Sequence, residues 1–200
     1  MITRTMAAAA AFAVLLSAAP LKAATPAQDV ADIASTACFG LAAGKWTLPH
    51  PARSEEFDAA VTAQGLQPNI TAGMLKMLGP ATALILRTGM ARRTNGESHI
   101  VFAANGMVPG CRVILLGEPS GDAMAAVSAA LTRRGPNRWT AFPDMNETRG
   151  IAEKRVFLRR DEKGAAYLLN LVRMTQPVGK IQVYATVLAV PAGVELPKGF

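Results

Sequence analysis

The succession of periodicities along this chain predicts an α+β fold: a curved antiparallel sheet of about seven strands, in the order helices-βββ-α-ββββ, with the helices packed on one face. Three observations carry that expectation. Helical spacing fills the first part of the chain and strand-like runs fill the rest. Only one helical segment falls between strands, which disfavours a parallel α/β arrangement, where each crossover needs its own helix. Short turn sequences at Asp161 to Gly164 and at Gln176 to Gly179 join the last three strands, so consecutive strands run antiparallel.

Residues 1–23 read as a signal peptide. Arg4 supplies the positive start, Met6 to Leu16 is an unbroken apolar run, and small residues surround Pro20, with cleavage expected after Ala23 or Ala24. The run is shorter than the roughly 20 residues of a spanning helix, and no transmembrane segment is expected in the mature chain. Residues 24–200 are then a single α+β domain of ordinary size, long enough to bury about 70% of the surface its unfolded chain exposes.

Within that domain Thr25 precedes Pro26 as an N-cap precedes a first helical position. Val30, Ile33, Ala37 and Leu41 then recur at helical spacing until Gly44, which predicts a helix from Pro26 to Ala43. Trp46 to Arg53, with Pro49 and Pro51, is a loop. Ser54 caps a second helix whose first turn carries Glu55, Glu56 and Asp58, where acidic side chains suit the helix dipole, and Gly65 stops it. A shorter helix covers Thr71 to Leu78. Apolar runs at Ala81 to Met90, Ser98 to Ala104 and Cys111 to Glu118, separated by turns at Arg92 to Glu97 and Asn105 to Gly110, predict three strands.

Met124, Val127 and Leu131 then mark a helix over Asp122 to Arg134, capped by Ser120 or Asp122 and ended by Gly135-Pro136. Four further strands are expected at Arg138 to Phe142, Arg155 to Arg160, Ala166 to Thr175 and Lys180 to Val190. The last alternates cleanly. Ile181, Val183, Ala185, Val187 and Ala189 share one face and Lys180, Gln182, Tyr184 and Thr186 the other, so one face is buried and the other half wet.

The formal charge is +7, and it falls to about +5 without Arg4 and Lys22, a moderately basic balance. Doublets at Arg92-Arg93, Arg133-Arg134 and Arg159-Arg160 fall at expected element ends, where they are read as solvated charge rather than as an anion-binding footprint. No aromatics interleave with them, so nucleic acid is not an expected partner. Abundant alanine and a preference for arginine over lysine suggest a bacterial source, which makes the expected location periplasmic or secreted.

Cys38 and Cys111 are the two cysteines, an even count in an exported chain, and a disulfide between them is the expected state. Two buried free thiols and a catalytic thiol are the alternatives. Histidine is scarce. His50 lies in the proline-flanked loop and His99 in a strand, and without paired ligands at metal-binding spacing no metal and no cofactor is expected. The loop Gly117 to Gly121 lacks both the nucleophile-elbow spacing around Ser120 and the Gly-Lys-Ser/Thr ending of a phosphate loop, since Asp122 follows Gly121. Carboxylates for glycoside hydrolysis would come from Glu118, Asp144 and Glu147, although Asp144 to Thr148 reads better as a turn.

The wording Ala37-Cys38-Phe39-Gly40-Leu41, with His99-Ile100-Val101-Phe102 further on, resembles the cysteine peptidases that cut cell-wall peptidoglycan. That resemblance implies a cysteine nucleophile and a histidine base. The chain departs from the pattern where an aspartate should precede the cysteine and a serine should follow it: Ala37 and Phe39 stand there. Cys38 also falls well inside a helix, away from the dipole that lowers a thiol pKa. The sequence therefore favours an exported non-enzymatic binding or accessory domain whose partner is a small ligand or an envelope protein. A cell-envelope hydrolase acting through Cys38 and His99 is the alternative.

Overall fold

Thr25 begins the first helix with a reciprocal cap: its hydroxyl accepts from Gln28 N at 3.3 Å while Gln28 Oε1 accepts from Thr25 N at 2.8 Å. The computed structural model describes residues 24–49, 54–79, 89–96, 98–104, 110–117, 122–150, 152–176 and 178–197. Helix α1 runs Pro26–Ile33, widens into a π-helical turn at Ala34–Cys38 and continues as Phe39–Ala42. Helices α2 (Glu55–Ala63), α3 (Ala72–Leu78) and α4 (Ala123–Thr132) are capped by the side chains of Ser54, Thr71 and Asp122. The expected signal peptide, His50, most of the run Ala81 to Met90, and Glu118 to Gly121 lie outside the described residues.

Among the described residues, nine strands form one antiparallel sheet. They are β1 (Gln67–Pro68), β2 (Gly89–Asn95), β3 (Ser98–Ala104), β4 (Gly110–Leu116), β5 (Thr140–Ala141), β6 (Glu147–Arg149), β7 (Ala152–Arg160), β8 (Ala166–Met174) and β9 (Ile181–Ala189). Their spatial order is β1-β2-β3-β4-β9-β8-β7-β5, with β6 also on β7. Two meanders, β2–β4 and β7–β9, are thus sewn together by the pairing of β4 with β9, which sets Cys111 opposite Val187 and Val113 opposite Ala185. The seam requires Gly110. Its φ is +151°, and a Cβ there would collide with the Val187 carbonyl.

The main core lies between the sheet and helices α1, α2 and α4. Ile100, Phe102, Val113, Leu115, Phe157 and Leu169 meet Val30, Ile33, Phe57, Met124 and Leu131 there. Of the five β9 residues expected to face inward, Val183, Ala185 and Val187 are fully buried in this layer, whereas Ile181, beyond the register shift at Leu115/Leu116, packs against the opposite cluster and Ala189 is exposed. Gln182, expected on the wetter face, is buried. The other face of β3 and β4 carries Val101, Ala103, Ile114 and Leu116, and these pack against Met74 and Leu78 of the short α3. Strands buried on both faces read as continuous apolar runs, which is why Ile100 to Ala104 and Val113 to Leu116 show no alternation while β9 does.

Several boundaries differ from the expectation. Arg92 and Arg93 belong to the interior of β2, not to a turn, and the reversal comes at Gly96 with φ +58°. A strand accepts Arg93 because its guanidinium is paired, to Asp29 at 3.2 Å and Asp32 at 3.4 Å on α1. The expected strand Arg138 to Phe142 shrinks to Thr140–Ala141, and Asp144 to Thr148 holds a 3-10 turn (Pro143–Met145) followed by the start of β6.

Candidate functional site

Strand β7 places Glu153, Arg155, Phe157 and Arg159 on its helix-facing side by simple alternation, and α4 runs above them. Phe157 continues into the core. Glu153 and Arg155 do not, and their charges are met by one connected network. Arg155 Nη1 donates to Ser128 Oγ on α4 at 3.2 Å, and Nη2 donates to Glu153 Oε1 at 3.4 Å. The other Glu153 oxygen accepts from Arg173, its cross-strand partner on β8. Arg173 in turn reaches Asp122 at 3.5 Å, the residue that caps α4. The Ala125 backbone N–H, helped by the charges of Arg173 and Arg155, holds the Asp122 carboxyl below its ordinary pKa, against desolvation that opposes it more than either arginine helps.

An open cleft of about 470 Å³ lies beside this network. Its α4 wall is Ser128, Ala129 and Thr132, its sheet wall Glu153, Arg155 and Phe157, and the β5–β6 connection closes it with Ala141 and Asn146. That connection is held in place by two bonds to Val156: its N–H donates to Asn146 Oδ1 at 3.0 Å and its carbonyl accepts from Phe142 N at 3.0 Å. The volume falls within the range of small-ligand sites, and the lining mixes the polar Ser128, Thr132, Asn146, Glu153 and Arg155 with apolar residues. A smaller cleft of about 160 Å³ sits between α1 and the end of α4, where Arg133, Arg134 and Arg138 surround Asp32 and Ser35. Those three arginines are exposed, as expected for the second doublet.

The third doublet divides. Arg160 is exposed, but the Arg159 guanidinium stacks on Phe39 with its centre 3.8 Å from the ring centroid and donates to Ser35 O at 3.0 Å. Burial pulls its pKa below the ordinary arginine value. Ser35 belongs to the π turn, whose widened hydrogen bonding leaves backbone carbonyls to side-chain donors. Trp46 Nε1 meets Ala37 O at 2.8 Å in the same way, and Trp139 Nε1 donates to Ser35 Oγ at 3.0 Å.

Cys38 and Cys111 are joined by a disulfide, with Cα atoms 5.3 Å apart. Cys38 sits in the π turn on the helix side of the sheet, whereas His99 alternates with Val101 and Ala103 toward the opposite side, near Thr94. The sheet separates the two, so the structure does not assemble the nucleophile and base that the peptidase resemblance implies. Of the carboxylates considered for hydrolysis, Glu118 lies outside the described residues, and Asp144 and Glu147 do not line the cleft. Glu147 is paired with Lys154 at 2.9 Å, a hydrogen bond that lowers its pKa, and Asp144 is exposed on the 3-10 turn.

Arg155, Ser128, Glu153 and Asn146 were not legible as a site. The one local signal is Ser128 and Thr132, four residues apart on an otherwise alanine-rich helix, and that spacing is common on any solvated face. No family model matches this sequence, and neither the curated proteins nor the solved structures contain a match.

Proposed function

We propose that this chain is an exported, periplasmic or secreted, non-enzymatic binding or accessory domain, and that its ligand site is the cleft between α4 and β7. The cleft carries the reading: an open cleft of about 470 Å³ that gathers polar and apolar groups from α4, β7 and the β5–β6 connection is of the size that recognition of a small molecule needs. The Cys38–Cys111 disulfide supports an oxidising location, because such bonds persist outside the cytosol. The leader-like residues 1–23 support the same address. A binding role is favoured over catalysis by the wiring of the cleft. Ser128 Oγ donates to Met124 O at 2.7 Å and accepts from Arg155, so no base activates it.

Two measurements test the proposal. Expression of the full chain in a bacterium should yield a periplasmic product whose mass begins after Ala23 or Ala24. An amide-resolved NMR screen of a fragment library should give saturable shifts clustered at Ser128, Thr132, Asn146 and Arg155. An uncleaved cytosolic product would remove the export half, and fragments clustering elsewhere would remove the cleft.

A further inference from the structure

We infer that the α4–β7 cleft selects small organic carboxylates with an apolar body, held through the Arg155 guanidinium; this rests on the reading of the cleft as the ligand site. Arg155 is a planar cation with five N–H donors, and its protein contacts engage two of them, at 3.2 Å to Ser128 Oγ and 3.4 Å to Glu153 Oε1. Its side chain retains 31% of its accessibility in a residue that lines the cavity. Unused donors in a fixed fork are matched by the two oxygens of a carboxylate.

Among the neighbouring polar groups Asn146 adds a donor, whereas Ser128 and Thr132 spend their hydroxyl protons on the α4 carbonyls of Met124 and Ser128. Asn146 uses its Oδ1 to accept from Val156 N, which leaves its amide nitrogen to donate. Glu153, the one acidic side chain lining the cleft, has one oxygen on Arg155 and the other on Arg173. Arg155 and Arg173 together balance Glu153 and Asp122, so neither carboxylate is left uncompensated against an incoming anion, and Arg155 is the cation that lines the cavity. The exposed Ala129 and Ala141 offer apolar surface beside it. A neutral amide can use that surface but not the charge, and an ammonium meets the like charge of Arg155.

The experiment titrates the ¹⁵N-labelled protein with three matched sets: acetate, hexanoate and phenylacetate, their primary amides, and their amines. The acids should shift the amides of Ser128, Thr132, Asn146 and Arg155 saturably, with affinity rising from acetate to phenylacetate, and the amides and amines should bind at least about tenfold more weakly, the size expected for a lost charged hydrogen bond. Arg155→Gln should abolish that preference. Ala129→Trp, an exposed position on the α4 wall, should block all binding while leaving Arg155 in place. Arg134→Gln, in the other cleft, should change nothing.

Equal binding of acids, amides and amines at these residues, unaffected by Arg155→Gln, would overturn the carboxylate assignment and leave the cleft as a ligand site. Shifts that follow Arg134→Gln, or no shifts in the cleft with any set, would overturn both.

Discussion

Arg159→Met isolates the role of a charge placed within the fold. Methionine keeps an unbranched apolar stem over Phe39 and removes the guanidinium. The variant then loses the bond to the half-buried Ser35 carbonyl at 3.0 Å and the stacking at 3.8 Å on Phe39. A hydrogen bond from a charged donor contributes about 1.5 to 3 kcal/mol. A partly exposed cation over an aromatic ring contributes about 0.5 to 1 kcal/mol. The remaining contacts, to Pro136 O at 3.3 Å and Asn137 Oδ1 at 3.2 Å, are exposed and contribute little. Methionine recovers part of the ring contact, so the expected loss is about 2 to 3 kcal/mol.

Urea denaturation followed by tryptophan fluorescence measures it, since Trp139 is fully buried against Phe39. With a slope of about 2 kcal/mol per molar urea, the midpoint should fall by about 1 M. Arg134→Met, at an exposed position beyond the end of α4, should move the midpoint by less than about 0.3 M. Equal shifts for the two variants would refute the reasoning, because the π turn would then not depend on the side chain that meets its carbonyl.

Three further expectations follow from the same structure. Mass measurement without reductant should find two protons missing, and the double variant Cys38→Ala with Cys111→Ala should lose about 4 kcal/mol by loop-closure entropy over a 73-residue separation; two titratable thiols in the purified protein would contradict the bond. Val183→Asp places a charge in the layer between β9 and the helices and should cost several kcal/mol of a typical total of about 5 to 15, whereas Thr186→Asp on the other face sets a carboxylate beside Arg112, which donates to Thr186 Oγ1 at 3.3 Å, and should change stability by less than about 0.5 kcal/mol; comparable losses would place cover on both faces of β9. Asp122→Asn keeps a capping oxygen but removes the titration. Because the folded pKa of Asp122 is depressed, its contribution is present above its ordinary value and is lost as pH falls through the folded value, so the wild-type advantage over the variant should shrink between about pH 5 and pH 2; a constant difference over that range rules the charge out.

Much of the fold was legible because its causes are local. Thr25, Ser54, Thr71 and Asp122 cap helices through bonds to residues three positions on, and the alternation of β9 holds in its burial at Val183, Ala185 and Val187 but not at its two ends. The misplaced elements are those whose residues are compensated at a distance. Arg92-Arg93 looked like a turn because charges are depleted from buried strands, and Asp29 on α1, which makes Arg93 tolerable there, is far away in sequence.

The order of elements, their caps and the antiparallel character of the last strands were set by the sequence alone, since each rests on spacing within a dozen residues. The pairing of β4 with β9, the π turn held by Arg159, Trp46 and Trp139, and the meeting of α4 with Arg155 were decided only by the tertiary structure. Ser128 and Arg155 are 27 residues apart, and Ser35 and Trp139 are 104 apart. No local pattern encodes such contacts, because the free energy that brings them together comes from burying the whole layer between sheet and helices rather than from either residue.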